Sequence, residues 1–228
     1  MQKLPLLLLH GALGDKTLFN PLIPHLSGDR TIIAFNFPGH GGLPISAPFT
    51  IETFANAILA QLDQHQIETA DLFGFSMGGY AALHCAMRHP DRIRCMMTLG
   101  TKFDWTPEIA TKEAAMMNPE KMEEKIPKFV QLLAERHHPQ EWKEVVRQTA
   151  VMMNSLGNGQ ALTMKELGGI KCPVTIARGA LDQMVGQDES ESAAAHIPNG
   201  TFLLLENTKH PFEQIDMEML ATKIEHIL

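Results

Sequence analysis

The stretch Gly74-Phe75-Ser76-Met77-Gly78 is the part of this chain best suited to covalent chemistry. An apolar run, Ala70 to Phe75, leads into it, and a helical pattern follows at once from Met77. A serine on a tight turn between strand and helix stands clear of a sheet, and flanking glycines leave room where Cβ atoms would collide. The free N–H groups at the start of the following helix then point to where an oxyanion at that serine would form. Ser76 is therefore the candidate nucleophile. The plainer reading of the same residues is a glycine-mediated packing turn.

A serine hydroxyl is a weak nucleophile near neutral pH, so it needs a base, and the base needs an orienting carboxylate. His210 follows the last strand-like run and is expected to open the C-terminal helix, while Asp182 follows the preceding run in Arg178-Gly-Ala-Leu-Asp182. Two other carboxylates compete for the role of Asp182. Asp104 lies beyond the strand after the elbow helix, and Glu206 lies four residues before His210. The oxyanion hole needs two pre-aimed donors. Met77 N–H supplies one, and the loop His10-Gly-Ala-Leu-Gly-Asp15 offers the other at Ala12, where Gly11 permits close backbone approach. His10 reads as a brace for that loop, and His40 as part of the turn Phe37-Pro-Gly-His-Gly41. His84, His89, His137, His138 and His196 read as solvent-facing or capping residues.

The elements that must position these groups alternate. Strands are expected at Leu4–Leu9, Thr31–Phe35, Ala70–Phe75, Ile93–Leu99, Val174–Arg178 and Thr201–Leu205. Helices are expected near Thr17–Leu26, Ile51–Gln66, Met77–His89, Asp188–His196 and Pro211–Ile227. Short buried runs alternating with helices predict an α/β fold with a mostly parallel sheet covered on both faces. Between about Asp104 and Gly169 the alternation stops and only helical patterns remain. After Pro139, apolar or half-apolar residues at Trp142, Val145, Val146, Thr149, Met152, Met153 and Leu156 form the stripe of an amphipathic helix. We expect residues 104-169 to form a helical lid over a core made of 1-103 and 170-228. Its methionines, Met116, Met152 and Met153 among them, are candidate substrate contacts, because the unbranched thioether adapts to irregular shapes.

Composition narrows the partners. The 228 residues carry 19 basic and 26 acidic side chains, a formal charge of −7, with no Lys/Arg cluster to neutralise phosphates. Neither a nucleic-acid nor a membrane partner is expected. Leu6–Leu9 is far shorter than the roughly 20 residues of a bilayer span, and lacks a secretory cleavage pattern. Cys85, Cys95 and Cys172 fit neither a disulfide framework nor a zinc motif, so packed thiols in a reducing cytoplasm are expected. The eleven histidines show no His-Glu-x-x-His spacing, and no metal is implied.

His10-Gly11, Phe37-Pro-Gly-His-Gly41, Gly74-Phe-Ser-Met-Gly-Gly79, Gly179-Ala-Leu-Asp182 and His210-Pro-Phe-Glu213 together resemble the sequence blocks of the α/β-hydrolase superfamily, in that family's order and over essentially the whole chain. The resemblance implies a Ser76–Asp182–His210 triad, backbone oxyanion donors, six parallel strands without the family's first hairpin, and an inserted helical cap. It implies a serine hydrolase that cleaves small to medium carboxylic esters, with thioesters open, and that needs no cofactor. Lys209 departs from the pattern by standing where a glycine commonly precedes the histidine. A lyase similar to the menaquinone-pathway synthases is the second expectation, although Tyr80 stands where that family generally carries an arginine. A non-catalytic receptor with a hydrolase fold is the third.

Overall fold

The computed structural model describes residues 3–228; the first two residues of the expected core lie outside the described residues. Six parallel strands form one sheet: β1 (Leu6–Leu9), β2 (Ile32–Ala34), β3 (Ala70–Phe75), β4 (Ile93–Leu99), β5 (Val174–Gly179) and β6 (Gly200–Leu205). Their order across the sheet is β2-β1-β3-β4-β5-β6. The chain therefore steps outward from β1 to β2 and then returns to the other side of β1. Loops leaving β1 and β3 diverge there, and such a switch point opens a crevice at the carboxyl ends of the strands. The loop with Ala12 and the turn with Ser76 leave those two strands.

Strand alternation feeds two cores. Leu7 and Leu9 pack on one face of the sheet with α1 (Ile51–Gln64) and α2 (Met77–Arg88), and with Ala193 and Ala194 of α8 (Gln187–His196). Leu6 and Leu8 face the other side, against Phe19, Leu22 and α9 (Met217–Ile227). A run of four leucines with no polar alternation is what a strand covered on both faces requires. Each helix begins where its sequence allows. Thr50 accepts a hydrogen bond from Thr53 N–H ahead of α1, and Asp216 accepts one from Met219 N–H ahead of α9.

Two expected helices differ. Thr17–Leu26 forms two short 3-10 turns, Lys16–Phe19 and Ile23–His25, because Pro21 and Pro24 remove the amides that an α-helix would need. Pro211–Ile227 is likewise broken. A 3-10 turn at Phe212–Gln214 precedes α9, and His210 sits in the loop before that turn and does not open a helix.

Between β4 and β5 the chain makes helices only: α3 (Pro107–Met116), α4 (Pro119–Lys125), α5 (Pro127–His137), α6 (Trp142–Ser155) and α7 (Met164–Leu167). Prolines open α3, α4 and α5, where the missing N–H costs nothing. In α6 the expected stripe is the buried one: Trp142, Val145, Val146, Thr149 and Met152 face inward. Cys85, Cys95 and Cys172 are buried free thiols, and burial pushes Cys85 up to about 12 and Cys172 up to about 11. Among the described residues, no helix is long and apolar enough to cross a membrane.

Candidate active site

Ser76 joins β3 to α2 with φ 51° and ψ −117°, a left-handed backbone that a side-chain-bearing residue adopts only when its surroundings enforce it. The enforcement is visible. Ser76 N–H donates to Leu99 O at 2.8 Å, and Thr101 Oγ1 donates to Ser76 O at 3.0 Å, so β4 holds the turn from one side. On the other side α2 lies against the loop after β1. A Cβ on Gly78 would stand 2.3 Å from Leu9 O, and one on Gly74 would stand 2.5 Å from the Cα of Gly79. Both glycines are dictated by backbone-to-backbone contact.

His210 reaches this turn from the loop after β6. Its Nδ1–H donates to Asp182 Oδ2 at 2.8 Å, which leaves Nε2 as the nitrogen with a free lone pair. Asp182 is 5 % exposed, and its other oxygen, Oδ1, accepts from Met184 N–H at 2.8 Å and Val185 N–H at 3.1 Å. Burial opposes ionisation of this carboxyl. The hydrogen bond and charge of His210, with the two amides, outweigh it and hold the group below the usual carboxylate range. Asp104 and Glu206 are exposed, and neither carboxylate meets the imidazole. Gly100, at φ +64°, brings the chain past the imidazole where a Cβ would stand 3.2 Å from His210 Nδ1.

Ser76, Met77, Ala12 and His210 line one cleft of about 550 Å³, its open mouth included. The Ser76–His210 hydrogen bond is not formed in this structure; such bonds are often loose until substrate binds. Met77 opens α2, so its N–H has no partner within the helix. The loop bearing Ala12 is braced as expected of His10. Phe37 N–H donates to His10 Nε2 at 3.1 Å, so His10 Nδ1 carries the hydrogen and donates to Gly11 O at 2.8 Å. Gly14 N–H also donates to Gly11 O, at 3.1 Å.

Ile51, Trp105, Met152, Met153 and Leu156 give the cleft an apolar wall. Two of the three expected methionines are there. Met116 is not: it lies at the end of α3, is 52 % exposed and does not line the cleft. In α3 it is Ala110 and Ala114 that face inward, and Met116, two positions past Ala114, falls on the opposite side of the helix.

Several residues that matter to this geometry went unread in the sequence. Arg178 donates through Nε to Val185 O at 2.8 Å and through Nη2 to Asp182 O at 2.6 Å, latching the loop that carries Asp182 to β5. Its position four residues before Asp182 was the available signal. Arg136, on α5, donates to Leu13 O at 2.7 Å and so ties the helical insertion to the loop after β1. His137 is buried, contrary to expectation, and its Nδ1 accepts from Gly41 N–H at 3.1 Å. With His10 and His40 it forms a row of imidazoles whose successive ring centroids are 5.2 and 5.7 Å apart. Burial lowers His10 and His137 to about 4, and lowers His40 well below its ordinary value. His84 is half-buried, whereas His89, His138 and His196 are exposed. Lys209 does not require a glycine's conformation, since Asn207, at φ 53°, takes the left-handed position in that loop. Among the described residues, no group of three or more His, Cys, Asp or Glu is arranged to hold a metal ion.

Comparison with known proteins agrees with this architecture. A family model described as the alpha/beta hydrolase fold matches residues 5–157. A pimeloyl-[acyl-carrier protein] methyl ester esterase of Neisseria meningitidis is 40% identical over 89 residues, 39% of this chain and 33% of that protein. A 2-hydroxymuconate semialdehyde hydrolase of a Pseudomonas strain is 33% identical over 102 residues, 42% of this chain and 36% of that protein. The matched stretch thus spans about a third of either relative. Among solved structures, an enol-lactonase from Burkholderia xenovorans superposes with a TM-score of 0.79 at 20% identity, covering 100% of this chain and 92% of that one. NosK from Streptomyces actuosus gives 0.83 at 18% identity, covering 99% and 97%. With the matched family model covering more than half of its length, the chain belongs to the α/β-hydrolase fold family.

Proposed function

We propose that this protein is a carboxylic-ester hydrolase in which Ser76 is the nucleophile, His210 the general base and acid, and Asp182 the residue that orients His210. The observation that carries the reading is the 2.8 Å bond from His210 Nδ1 to a buried Asp182, beside a cleft that both His210 and Ser76 line. That bond fixes the tautomer with Nε2 free to take a proton. In the cycle, His210 Nε2 takes the Ser76 proton as Oγ attacks the ester carbonyl. Ala12 N–H and Met77 N–H hold the resulting oxyanion. His210 then gives its proton to the departing alkoxide, and the acyl group stays on Ser76. Water, deprotonated by the same nitrogen, releases the acid and restores the serine. Asp182 stabilises the imidazolium at both stages, and no cofactor is needed.

The apolar wall suits a small to medium acyl chain, and the esterase relatives are named for a methyl ester carried on an acyl carrier protein. We extend to this chain the same class of substrate, a simple alcohol ester of a medium-length acyl group, with thioesters as the neighbouring possibility. Residues 104-169 act as its lid, 1-103 and 170-228 as the catalytic core, and three buried thiols fit a cytoplasmic setting. Tyr80 disfavours the lyase alternative. Its phenol oxygen is buried and accepts Leu162 N–H at 2.7 Å, so the position offers no guanidinium to an anionic substrate.

A fluorophosphonate probe tests the proposal, because its phosphorus takes an activated serine oxygen with loss of fluoride. Stoichiometric labelling that disappears in Ser76→Ala is the expected result, together with turnover of short p-nitrophenyl esters that depends on Ser76 and His210. A folded wild-type protein that stays unlabelled yet binds small molecules refutes the esterase and favours a receptor.

A further inference from the structure

Apart from His210, two of the residues lining the cleft are ionisable at neutral pH as charges, Lys102 and Glu113, and the proposed ester chemistry uses neither. Lys102 follows Gly100 and Thr101, the pair that packs on His210 and bonds Ser76 O, so its backbone belongs to the wall of the reacting centre. Glu113 comes from α3 on the helical insertion.

The hydrogen bonding of this corner is incomplete in a specific way. Lys102 Nζ donates to Met184 O at 3.0 Å, using one of its three N–H groups. It lies 3.7 Å from Glu113 Oε1 and 3.9 Å from Glu189 Oε1, close enough for charge attraction but too long for hydrogen bonds. Glu189 is otherwise occupied, accepting from the N–H groups of Phe103, Asp104 and Gly186 at 2.6 to 2.7 Å. Glu113 accepts no hydrogen bond among the described residues. Donors on Lys102 and an acceptor on Glu113 are thus left facing one another across a gap of 3.7 Å. A hydroxyl oxygen can sit at about 2.8 Å from both, accepting from one and donating to the other. A carboxamide does the same with its two ends. A carboxylate cannot, because it only accepts. The local charge also turns it away: one ammonium faces two carboxylates, and the three side chains are only 11% to 18% exposed, so water screens them weakly.

We propose that Lys102 and Glu113 form a polar subsite that binds an uncharged hydroxyl or amide group on the substrate, some bonds away from the ester, and discriminates against a free carboxylate. This rests on the esterase reading of the same cleft. It gives the substrate class as esters with a neutral hydrogen-bonding group at the far end.

Two matched series test it, methyl alkanoates and alkyl acetates, each at several lengths and each ending in methyl, hydroxyl, carboxamide or carboxylate. In at least one series the hydroxyl and carboxamide members should show kcat/KM about tenfold above the carboxylate member, the size expected for one hydrogen bond to a charged partner. Glu113→Gln should bring the carboxylate-to-carboxamide ratio close to one, and Lys102→Met should abolish the preference for hydroxyl and amide over methyl. The same compounds are titrated calorimetrically into Ser76→Ala protein, which reads the order of affinities without turnover. Intact binding order with no turnover in wild type overturns the esterase and leaves the subsite standing. Turnover with carboxylate equal to or better than carboxamide, a Glu113→Gln ratio unchanged from wild type, or no binding and no turnover at all overturns the subsite.

Discussion

Lowering the pH from 7 to 5 should destabilise this protein through the row of His10, His40 and His137, all fully buried between the loop after β1, the turn after β2 and the end of α5. His10 and His137 are held at about 4 chiefly by burial, against about 6.5 for a histidine in the unfolded chain. Arg136 pushes both in the same direction, while at His10 the hydrogen bond to Gly11 O and then the charge of Asp15 act against burial, and at His137 Asp15 does so too. In this window the unfolded chain binds protons that the folded chain refuses, so stability is greatest above pH 6.5 and falls as the pH drops toward 4. Integrated from pH 7 to 5, each of these two imidazoles should withdraw about 2 kcal/mol. His40 acts in the same direction. Against a total stability of about 5–15 kcal/mol for a domain, that is a large share. His137→Gln separates this effect from the rest of the titration, because a carboxamide oxygen can still accept Gly41 N–H but does not titrate. Denaturant unfolding at pH 7, 6 and 5, followed by fluorescence of Trp105 and Trp142, gives both stabilities. Wild type should lose about 2 kcal/mol more than His137→Gln between pH 7 and 5. Equal losses would show that His137 does not stay neutral in the folded state, and the reasoning fails.

Three other perturbations probe the site. Asp182→Asn keeps an oxygen for Met184 and Val185 N–H but presents an amide to His210 Nδ1; kcat should fall on the order of 10⁴-fold while circular dichroism is unchanged, and a small loss would reassign the acid. Arg136→Ala removes the donor to Leu13 O, which carries a left-handed backbone at φ 58°. Under the oxyanion role proposed for Ala12 N–H, steady-state kinetics should show kcat reduced about tenfold as that N–H is displaced, with KM changed less; an equal effect on both would point to substrate binding instead. Gly78→Ala places a Cβ 2.3 Å from Leu9 O, a contact that flexible side chains cannot relieve. Thermal unfolding should report a loss of about 3 kcal/mol or more, and a near-neutral result would contradict the close packing of α2 on the loop after β1.

The pattern of short apolar runs separated by helices was enough to predict the six strands, and all six begin and end within two residues of the expected places. It worked because burial on both faces demands continuous apolar strands whatever their neighbours. Reading Thr17–Leu26 as one helix failed because the apolar spacing outweighed Pro21 and Pro24. Met116 failed for a different reason: apolar character says a residue can be buried but not which side of a short, weakly amphipathic helix faces the cleft. His137 was misjudged because the end of a helix is exposed unless another segment covers it, and the covering turn at Gly41 lies 96 residues earlier in the chain.

Local constraints on this protein were written in its sequence. The Gly-x-Ser-x-Gly turn, its strand and its helix follow from steric limits on neighbouring residues, and the order of Ser76, Asp182 and His210 follows from where strands end. Tertiary structure alone decided which carboxylate meets His210, since Asp182, Asp104 and Glu206 are chemically equivalent until the loop after β5, latched by Arg178, turns one of them inward. It also decided that Arg136 reaches across from the helical insertion to the loop after β1 and His137 to the turn at Gly41, and that Lys102 and Glu113 share a cleft. Those pairings depend on distances between segments far apart in the chain, which residue type and spacing do not encode.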